Sequence, residues 1–250
     1  MVAGGITFTL KTVDVFAKND NKIVIEDSTY TDIEVLTNNT SIEIVPTESS
    51  VATVEYSGDT NKKSTFTLDA NVKGETLYVN FKEKRRFFWF GFGSFNSTLT
   101  INVPEKQYES IQVESDNGRI SVEDVKAEDV VLETENGQIL LKKIEANSVY
   151  VKTDNGKVIF EHVKGKIKGI TDNGRIIMTT KKLDQPIELA TDNGSIEIKT
   201  EFEPTNATIE AKTDNGRITI FGVEDTFASY SKGENLIKLR TDNGRITITK

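Results

Sequence analysis

The sequence predicts an all-β protein whose main part is a parallel β-solenoid, and three observations carry this prediction. A six-residue segment of the form Ser/Thr, Asp/Glu, Asn, Gly, any residue, Ile/Val occurs seven times. Its glycines are 19, 19, 18, 20, 22 and 28 residues apart, and a near-constant period of this kind is typical of repeat architectures. Apolar residues alternate with polar ones on both sides of each copy, as in half-buried strands.

Composition sets the class of protein but not its activity. The chain has 250 residues, of which 36% are hydrophobic and 28% are charged, so it can bury a substantial core. The net charge of -8 disfavours nucleic acid as a partner, because affinity for phosphate backbones depends on clustered Lys and Arg. The absence of cysteine excludes disulfides and thiolate zinc sites and is compatible with cytoplasm or with a cysteine-poor bacterial exterior.

Residues 1–104 are predicted to form a less regular N-terminal β region, either early coils or a cap. Short alternating segments rich in β-branched residues run from Ile6 to Val103, separated by turn formers. The segment Thr37–Ile42 is a worn copy of the repeat that lacks the glycine. This region therefore continues the architecture of the regular solenoid, which is predicted for residues 105–250.

An aromatic loop is predicted at residues 84–95, where basic residues are followed directly by aromatic ones. An interfacial membrane contact would use this composition, since rings enter the headgroup zone and cations meet anionic lipid. The same residues suit a hot spot for a protein partner. Alternatively, the rings cap the open end of a β core or pack under a long loop. The candidate contact residues are Arg85, Arg86, Phe87, Phe88, Trp89, Phe90 and Phe92.

Each copy of the repeat predicts two inward-facing strands. Two apolar residues, two positions apart, precede and follow each Asn-Gly, as Val149/Val151 and Val158/Phe160 do. A third apolar position is followed in three copies by a small residue, which indicates a second corner. About 18–22 residues thus make one coil. The third position is occupied by Val125, Ile144, Val163 and Val223.

A β-hairpin is the alternative reading of each Asn-Gly, because both residues accept the positive φ of a type I′ turn. The register of the flanking alternation is compatible with hairpins. The near-constant period favours the solenoid over hairpins. Parallel coils stack equivalent positions about 4.8 Å apart, so identical residues at these positions stabilise the stack.

Stacking predicts a role for each residue of the corner. The asparagines are expected to form a side-chain amide ladder, and the glycines to supply the backbone conformation. The acidic residue before each Asn is expected to lie beside the basic residue that follows many of the glycines. The corner residues are Asn117, Gly118, Asn136, Gly137, Asn155, Gly156, Asn173, Gly174, Asn193, Gly194, Asn215, Gly216, Asn243 and Gly244.

The copies of Thr-Asp-Asn-Gly-Arg-Ile, with the lead-in segments Leu99–Pro104 and Ile111–Gly118, resemble the bacterial putative-adhesin β-strand-repeat family, a domain family of unknown function. The resemblance extends from about Ile33 to the end of the chain. It implies a non-enzymatic protein of the bacterial envelope, of a type found in Gram-positive bacteria. Its partner would be an envelope protein, a membrane surface or cell-wall glycan. The resemblance also implies location in the envelope or outside the cell, in some members behind an N-terminal membrane anchor, which we do not expect in this sequence. A cytoplasmic location is also compatible with the sequence.

The charged residues of the repeat raise the alternative of an enzyme. Some parallel β-helices are carbohydrate-binding or polysaccharide-degrading, and their sites use Asp, Arg and Lys on one face. Here the repeat itself accounts for these residues, and no cluster departs from it. His162 is the only histidine and is expected at the surface, so no His pair can bind zinc. We therefore expect no enzyme, no cofactor and no metal.

The sequence leaves two alternatives for the C-terminal end of the chain. The last strand, Arg245–Lys250, either leaves an open stacking edge, which would favour end-to-end self-association, or is covered. The preceding insertion, residues 225–233, is long enough to fold over that end. Solution mass would distinguish an open end from a covered one.

Overall fold

The structure is a computed structural model that describes residues 21–58, 64–85 and 97–250, and every regular element in these ranges is a strand. The strands are β1 Lys22–Ile25, β2 Asp32–Thr37, β3 Ser41–Thr47, β4 Ala52–Ser57, β5 Ser64–Lys73, β6 Thr76–Arg85, β7 Thr98–Pro104, β8 Gln107–Asn117, β9 Ile120–Glu123, β10 Lys126–Asn136, β11 Ile139–Lys142, β12 Glu145–Asn155, β13 Val158–Glu161, β14 Lys164–Asn173, β15 Ile176–Thr180, β16 Ile187–Asn193, β17 Ile196–Thr200, β18 Ala207–Asn215, β19 Ile218–Ile220, β20 Phe227–Tyr230, β21 Asn235–Asn243 and β22 Ile246–Thr249.

These strands form two sheets of eleven strands each. The first sheet has the order β20-β18-β21-β16-β14-β12-β10-β8-β2-β6-β5, and the second has the order β1-β4-β7-β3-β9-β11-β13-β15-β17-β22-β19. Each coil places one strand in each sheet, and neighbouring coils pair in parallel. The strands on either side of an Asn-Gly therefore lie in different sheets. This excludes the hairpin and confirms the all-β parallel solenoid.

The core lies between the two sheets and follows the predicted alternation. In one coil, Val149 and Val151 face Val158 and Phe160, and all four are at most 1% exposed. Each fully buried side chain of this size contributes about 1.5–3 kcal/mol to stability. Val223 is the exception among the predicted third positions. It is 61% exposed, because it forms a bridge with Ile220 in a tight turn rather than entering the core.

The predicted amide ladder is present along the Asn-Gly corner. Each Nδ2 donates to the Oδ1 of the neighbouring coil at 2.9–3.1 Å. The worn copy takes part through Asn39, which accepts from Asn117, so the region before residue 105 continues the stack. In spatial order the ladder runs through Asn39, Asn117, Asn136, Asn155, Asn173, Asn193, Asn243 and Asn215.

The glycines of the corner are needed for close approach more than for backbone conformation, which corrects the expectation from sequence. Of the seven, only Gly118 has φ in the left-handed region, at 142°. At Gly156, however, a Cβ would lie 1.6 Å from the carbonyl oxygen of Gly137, and the other corners except that of Gly118 give 1.6–1.8 Å. Stacked coils thus leave no space for a side chain here.

Buried threonines line the inner side of the same corner. The hydroxyl of Thr191 donates to the carbonyl oxygen of Gly174 at 3.1 Å, and Thr241 donates to that of Gly194 at 3.0 Å. Both threonines are at most 2% exposed. The carbonyls of Gly174 and Gly194 are therefore bonded to the neighbouring coil from inside the core.

The coils do not stack in chain order at either end. The last coil, β21 and β22, lies between the coil of β16 and β17 and the coil of β18 and β19. The first coil, β2 and β3, lies between β6/β7 and β8/β9 in the same way. Arg245–Lys250 therefore leaves no open stacking edge, because β22 is paired on both sides. The insertion forms β20, which pairs antiparallel with β18 and covers its edge.

Asn155→Ala tests the amide ladder. The change removes one bond donated to Asn136 and one accepted from Asn173, so we expect a loss of about 1–2 kcal/mol in the free energy of unfolding. Urea unfolding followed by circular dichroism measures this loss. Asn147→Ala is the control, because Asn147 is exposed on the same coil and should change stability by less than about 0.5 kcal/mol. Equal losses in the two variants would contradict a stabilising ladder.

Candidate functional site

The predicted aromatic contact lies almost entirely outside the described residues. This holds for Arg86, Phe87, Phe88, Trp89, Phe90 and Phe92. Arg85 is the last residue of β6. Contact of this segment with a partner or a membrane stays a prediction from sequence.

The charged edge of the Asn-Gly corner is arranged differently from the expectation. In three copies the acidic residue of the motif pairs with a basic residue two positions before it, at 3.6 Å in Lys152–Asp154, 3.7 Å in Lys212–Asp214 and 2.9 Å in Arg240–Asp242. Among the basic residues that follow the glycines, Arg175 instead reaches Glu197 at 3.7 Å. These side chains are exposed, and exposed ion pairs contribute little net stability. This edge is accounted for by the repeat.

The second corner of each coil, opposite the Asn-Gly corner, has a backbone conformation that the sequence pattern does not predict. Asp124, Lys143 and His162 occupy equivalent positions in three successive coils, with φ of 56°, 52° and 54°. A left-handed conformation is uncommon for residues other than glycine. Here the stacking of coils holds this conformation. The backbone amide of Lys143 donates to the carbonyl oxygen of Glu161 at 2.7 Å, and that of His162 donates to the carbonyl oxygen of Thr179 at 2.8 Å. His162 is exposed, as predicted.

A groove of about 790 Å³ runs along this second corner, and we call it the corner groove. Three short corners, at residues 124–126, 143–145 and 162–164, form one part of its lining. The longer turns at residues 180–185 and 201–202 complete it. The lining comprises Asp124, Val125, Lys126, Lys143, Glu145, His162, Val163, Lys164, Thr180, Lys181, Lys182, Asp184, Gln185, Glu201 and Phe202.

Charges of opposite sign alternate from coil to coil in the corner groove. Glu145 lies between Lys126 at 3.7 Å and Lys164 at 2.6 Å, and the hydrogen bond from Lys164 lowers the pKa of Glu145. Lys143 pairs with Asp124 at 3.2 Å. Five lysines line the groove against four carboxylates, so one positive charge is in excess on a chain whose net charge is -8.

The two longer turns are fixed to each other by Asp184. Its carboxylate accepts from the backbone amides of Thr205 and Asn206 at 2.8 and 3.0 Å and from the Thr205 hydroxyl at 2.6 Å. Burial acts to raise the pKa of Asp184, but these hydrogen bonds outweigh it and hold the pKa below its ordinary value. The lining of the groove is therefore rigid at this end.

Phe202 places an exposed ring beside these charges. Its backbone amide donates to the carbonyl oxygen of Lys181 at 3.0 Å, and its side chain is 54% exposed. A large apolar ring in a groove of ammonium groups is an unusual combination for a solvated surface. The sequence does not reveal this groove, because it joins residues up to about 80 positions apart and none of them departs visibly from the repeat.

The most buried titratable cluster lies elsewhere and is structural. Lys106 donates to the carbonyl oxygens of Ser28 and Tyr30, and its Nζ lies 4.3 Å from the centre of the Tyr30 ring. Burial raises the pKa of Tyr30 to about 12 and also raises the pKa of Tyr108. Both tyrosines are therefore neutral at physiological pH. The cluster ties residues 28–30 to the strand that begins at Gln107.

Residues 21–58, 64–85 and 97–250 contain no group of three or more His, Cys, Asp or Glu side chains that could hold a metal ion. No helix in this part of the chain has the length and apolar character needed to cross a membrane.

One family profile matches more than half of the chain. A profile of the family described as Toastrack DUF4097 matches residues 30–171. A search of curated proteins found no match.

Solved structures with a similar fold include a putative cell adhesion protein from Clostridium sporogenes, with 15% identity, a TM-score of 0.43 and coverage of 91% of this chain and 98% of the other. A putative adhesin from Bacteroides fragilis has 12% identity, a TM-score of 0.48 and coverage of 91% and 95%. A putative lipid binding protein from Parabacteroides distasonis has 14% identity, a TM-score of 0.32 and coverage of 93% and 98%. Similarity of this degree carries no functional argument.

Proposed function

Because the chain belongs to the Toastrack DUF4097 family and its motif residues serve the stacking of coils, we propose that it is a non-enzymatic interaction module of the bacterial cell envelope. In this proposal, the rigid two-sheet solenoid presents the corner groove to a protein partner. The observation that carries the proposal is the exposed ring of Phe202 among five lysines in a concave, internally bonded surface.

The chemistry of the groove suits binding better than reaction. Its carboxylates Asp124 and Glu145 are paired with lysines at the surface, so neither has the desolvated setting that poises a general base. Asp184 is occupied by three hydrogen bonds within the protein. What the groove offers to a ligand is ammonium donors and one apolar anchor.

An acidic segment of an envelope protein fits these features. Aromatic anchors surrounded by complementary charge are typical of protein hot spots. A bilayer surface fits less well, because a flat surface would meet the ring of Phe202 but not the lysines on the concave part of the groove. The local excess of positive charge on an otherwise acidic chain would also orient the module towards an acidic partner.

The proposal is tested by the double variant Lys143→Glu with Phe202→Ser. We expect its retention on isolated bacterial envelope fractions to fall at least about tenfold, because an anchor ring and a complementary charge are lost together. The matched control is Lys199→Glu with Phe227→Ser, which changes an exposed lysine and a ring that is 53% exposed but lies away from the groove. Retention is measured by cosedimentation at physiological ionic strength.

Treated fractions separate the classes of partner. Protease treatment of the envelopes should abolish retention, whereas vesicles of anionic lipid alone should not retain the protein. Equal retention of the groove variant and the control would overturn the proposal. Turnover of a polysaccharide that is lost in the groove variant would overturn its non-enzymatic part.

Carbohydrate binding is the second candidate function, and the position of Phe202 favours it. An exposed ring beside side chains that donate and accept hydrogen bonds can stack on the apolar face of a sugar while the polar groups bind its hydroxyls. Retention that survives protease treatment and depends on Phe202 would favour this function over a protein partner.

A further inference from the structure

The longest edge strand described in this protein is β5, which ends the first sheet on the side opposite β20. Its ten residues pair antiparallel with β6 on one side. No other strand of the described ranges pairs with its second side. A long edge of unpaired amides and carbonyls is a template for a further strand.

The hairpin fixes which residues of β5 direct their backbone outwards. A two-residue turn, Gly74 with φ of 63° followed by Glu75, joins Lys73 to Thr76. Such a turn closes on a hydrogen-bonded pair, and bonded and non-bonded pairs then alternate along the ladder. Lys73, Asn71 and Asp69 therefore bond to β6, whereas the amides and carbonyls of Val72, Ala70 and Leu68 point to the free edge.

The outer face of β5 carries an acid, an amide and a base in regular order. Asp69, Asn71 and Lys73 alternate with Leu68, Ala70 and Val72, which face the core. Asn71 is 8% exposed and donates to Asp69 at 3.0 Å. Its Oδ1 is buried and has no hydrogen-bond donor among the described residues. On this face Asp69 and Lys73 carry opposite charges, each two residues from Asn71.

We propose that β5 pairs antiparallel with β5 of a second copy of this chain, about a two-fold axis at Asn71. The first sheet then continues across both chains. Val72 exchanges hydrogen bonds with Ala70 of the second copy, and the axis repeats these bonds. Asn71 meets Asn71 of the second copy as a non-bonded pair, where side chains are closest.

Charge complementarity selects this register and a second copy as the occupant. A two-fold axis at Asn71 places Lys73 opposite Asp69 of the second copy and, by symmetry, Asp69 opposite Lys73. Moving the axis by one residue would place Lys73 opposite Thr67 or Asn71 and lose both ion pairs. Opposite charges directly across an antiparallel pair stabilise it, and isologous contacts are self-complementary in this way.

A single cysteine tests the axis directly, because the natural sequence contains none. Asn71→Cys places two thiols across a non-bonded pair with Cα atoms about 4.5 Å apart, within the range of a disulfide. We expect a covalent dimer under mild oxidation. Thr67→Cys is the matched control on the same strand and face, where the two thiols would lie about 27 Å apart and should not react. Cross-linking of both variants at one rate, or of neither, would overturn the proposal.

Charge reversal tests the register without a cross-link. Asp69→Lys and Lys73→Asp should each weaken self-association about tenfold in sedimentation velocity over a range of concentrations, because each converts two attractive pairs into repulsive ones. The double variant should restore it. Thermal unfolding of each variant shows whether the monomer fold is intact. A wild-type chain that stays monomeric throughout, or a double variant no better than the singles, would refute the two-fold pairing.

Discussion

Gly156→Val is expected to prevent stable folding. The Cβ of any side chain at this position would lie 1.6 Å from the carbonyl oxygen of Gly137 and 2.7 Å from its carbonyl carbon, and both are backbone atoms fixed by the ladder on either side. Relief requires the two coils to separate at the corner, which breaks the amide ladder and the adjoining strand pairs. We expect a loss of more than about 4 kcal/mol in the free energy of unfolding.

The measurement for Gly156→Val is the fraction of soluble protein together with the midpoint of urea unfolding. Gly222→Ala is the control, since φ at Gly222 is 85° but nothing lies within 4 Å of an added Cβ. That change should cost only about 1 kcal/mol, from the backbone conformation alone. A folded Gly156→Val protein with an unchanged midpoint would show that the corner can open without loss.

Phe160→Ala should have the second-largest effect. Phe160 is fully buried, and its ring fills the space above Gly169, where a Cβ would lie 2.9 Å from the ring Cζ and 3.0 Å from a methyl group of Leu189. Removal of the ring leaves a cavity in the middle of the core. The expected loss is about 3–5 kcal/mol, measured by urea unfolding. The exposed Phe202→Ala should change stability by less than about 0.5 kcal/mol.

The pairing of Phe160 with Gly169 makes this prediction specific. Gly169→Ala alone should destabilise by overpacking, and Phe160→Leu alone by loss of volume. Combined, the two changes should cost less than the sum of the single losses, because the added methyl group occupies space that the smaller side chain leaves. Strict additivity would show that the two residues do not share this space.

Local rules made the regular part of the fold predictable from sequence. Asn155 and Val158 have one role in every copy, so period and alternation suffice to place them in a ladder and in the core. The role of Gly156 was only partly predicted, since a single copy of the motif does not show that the neighbouring carbonyl occupies the place of a side chain.

Features set by competition between equivalent segments could not be predicted. The coils of Asn215 and Asn243 carry the same motif, so the local sequence does not indicate which of the two stacks on the coil of Asn193. The candidate site was missed for a related reason. Its charged residues occupy regular repeat positions in several coils. They form one surface only after the coil of Lys143 stacks on its neighbours and the longer turn of Phe202 lies beside them.

The inserted terminal coils determine how the molecule responds to a mechanical load. In a solenoid stacked in chain order, a pull on one terminus peels off the last coil by breaking a single interface at a time. Here the last coil is held between two others in both sheets, and the first coil is held in the same way. Tension on Lys250 must therefore break two parallel ladders together, so the chain resists unravelling from its C-terminal side.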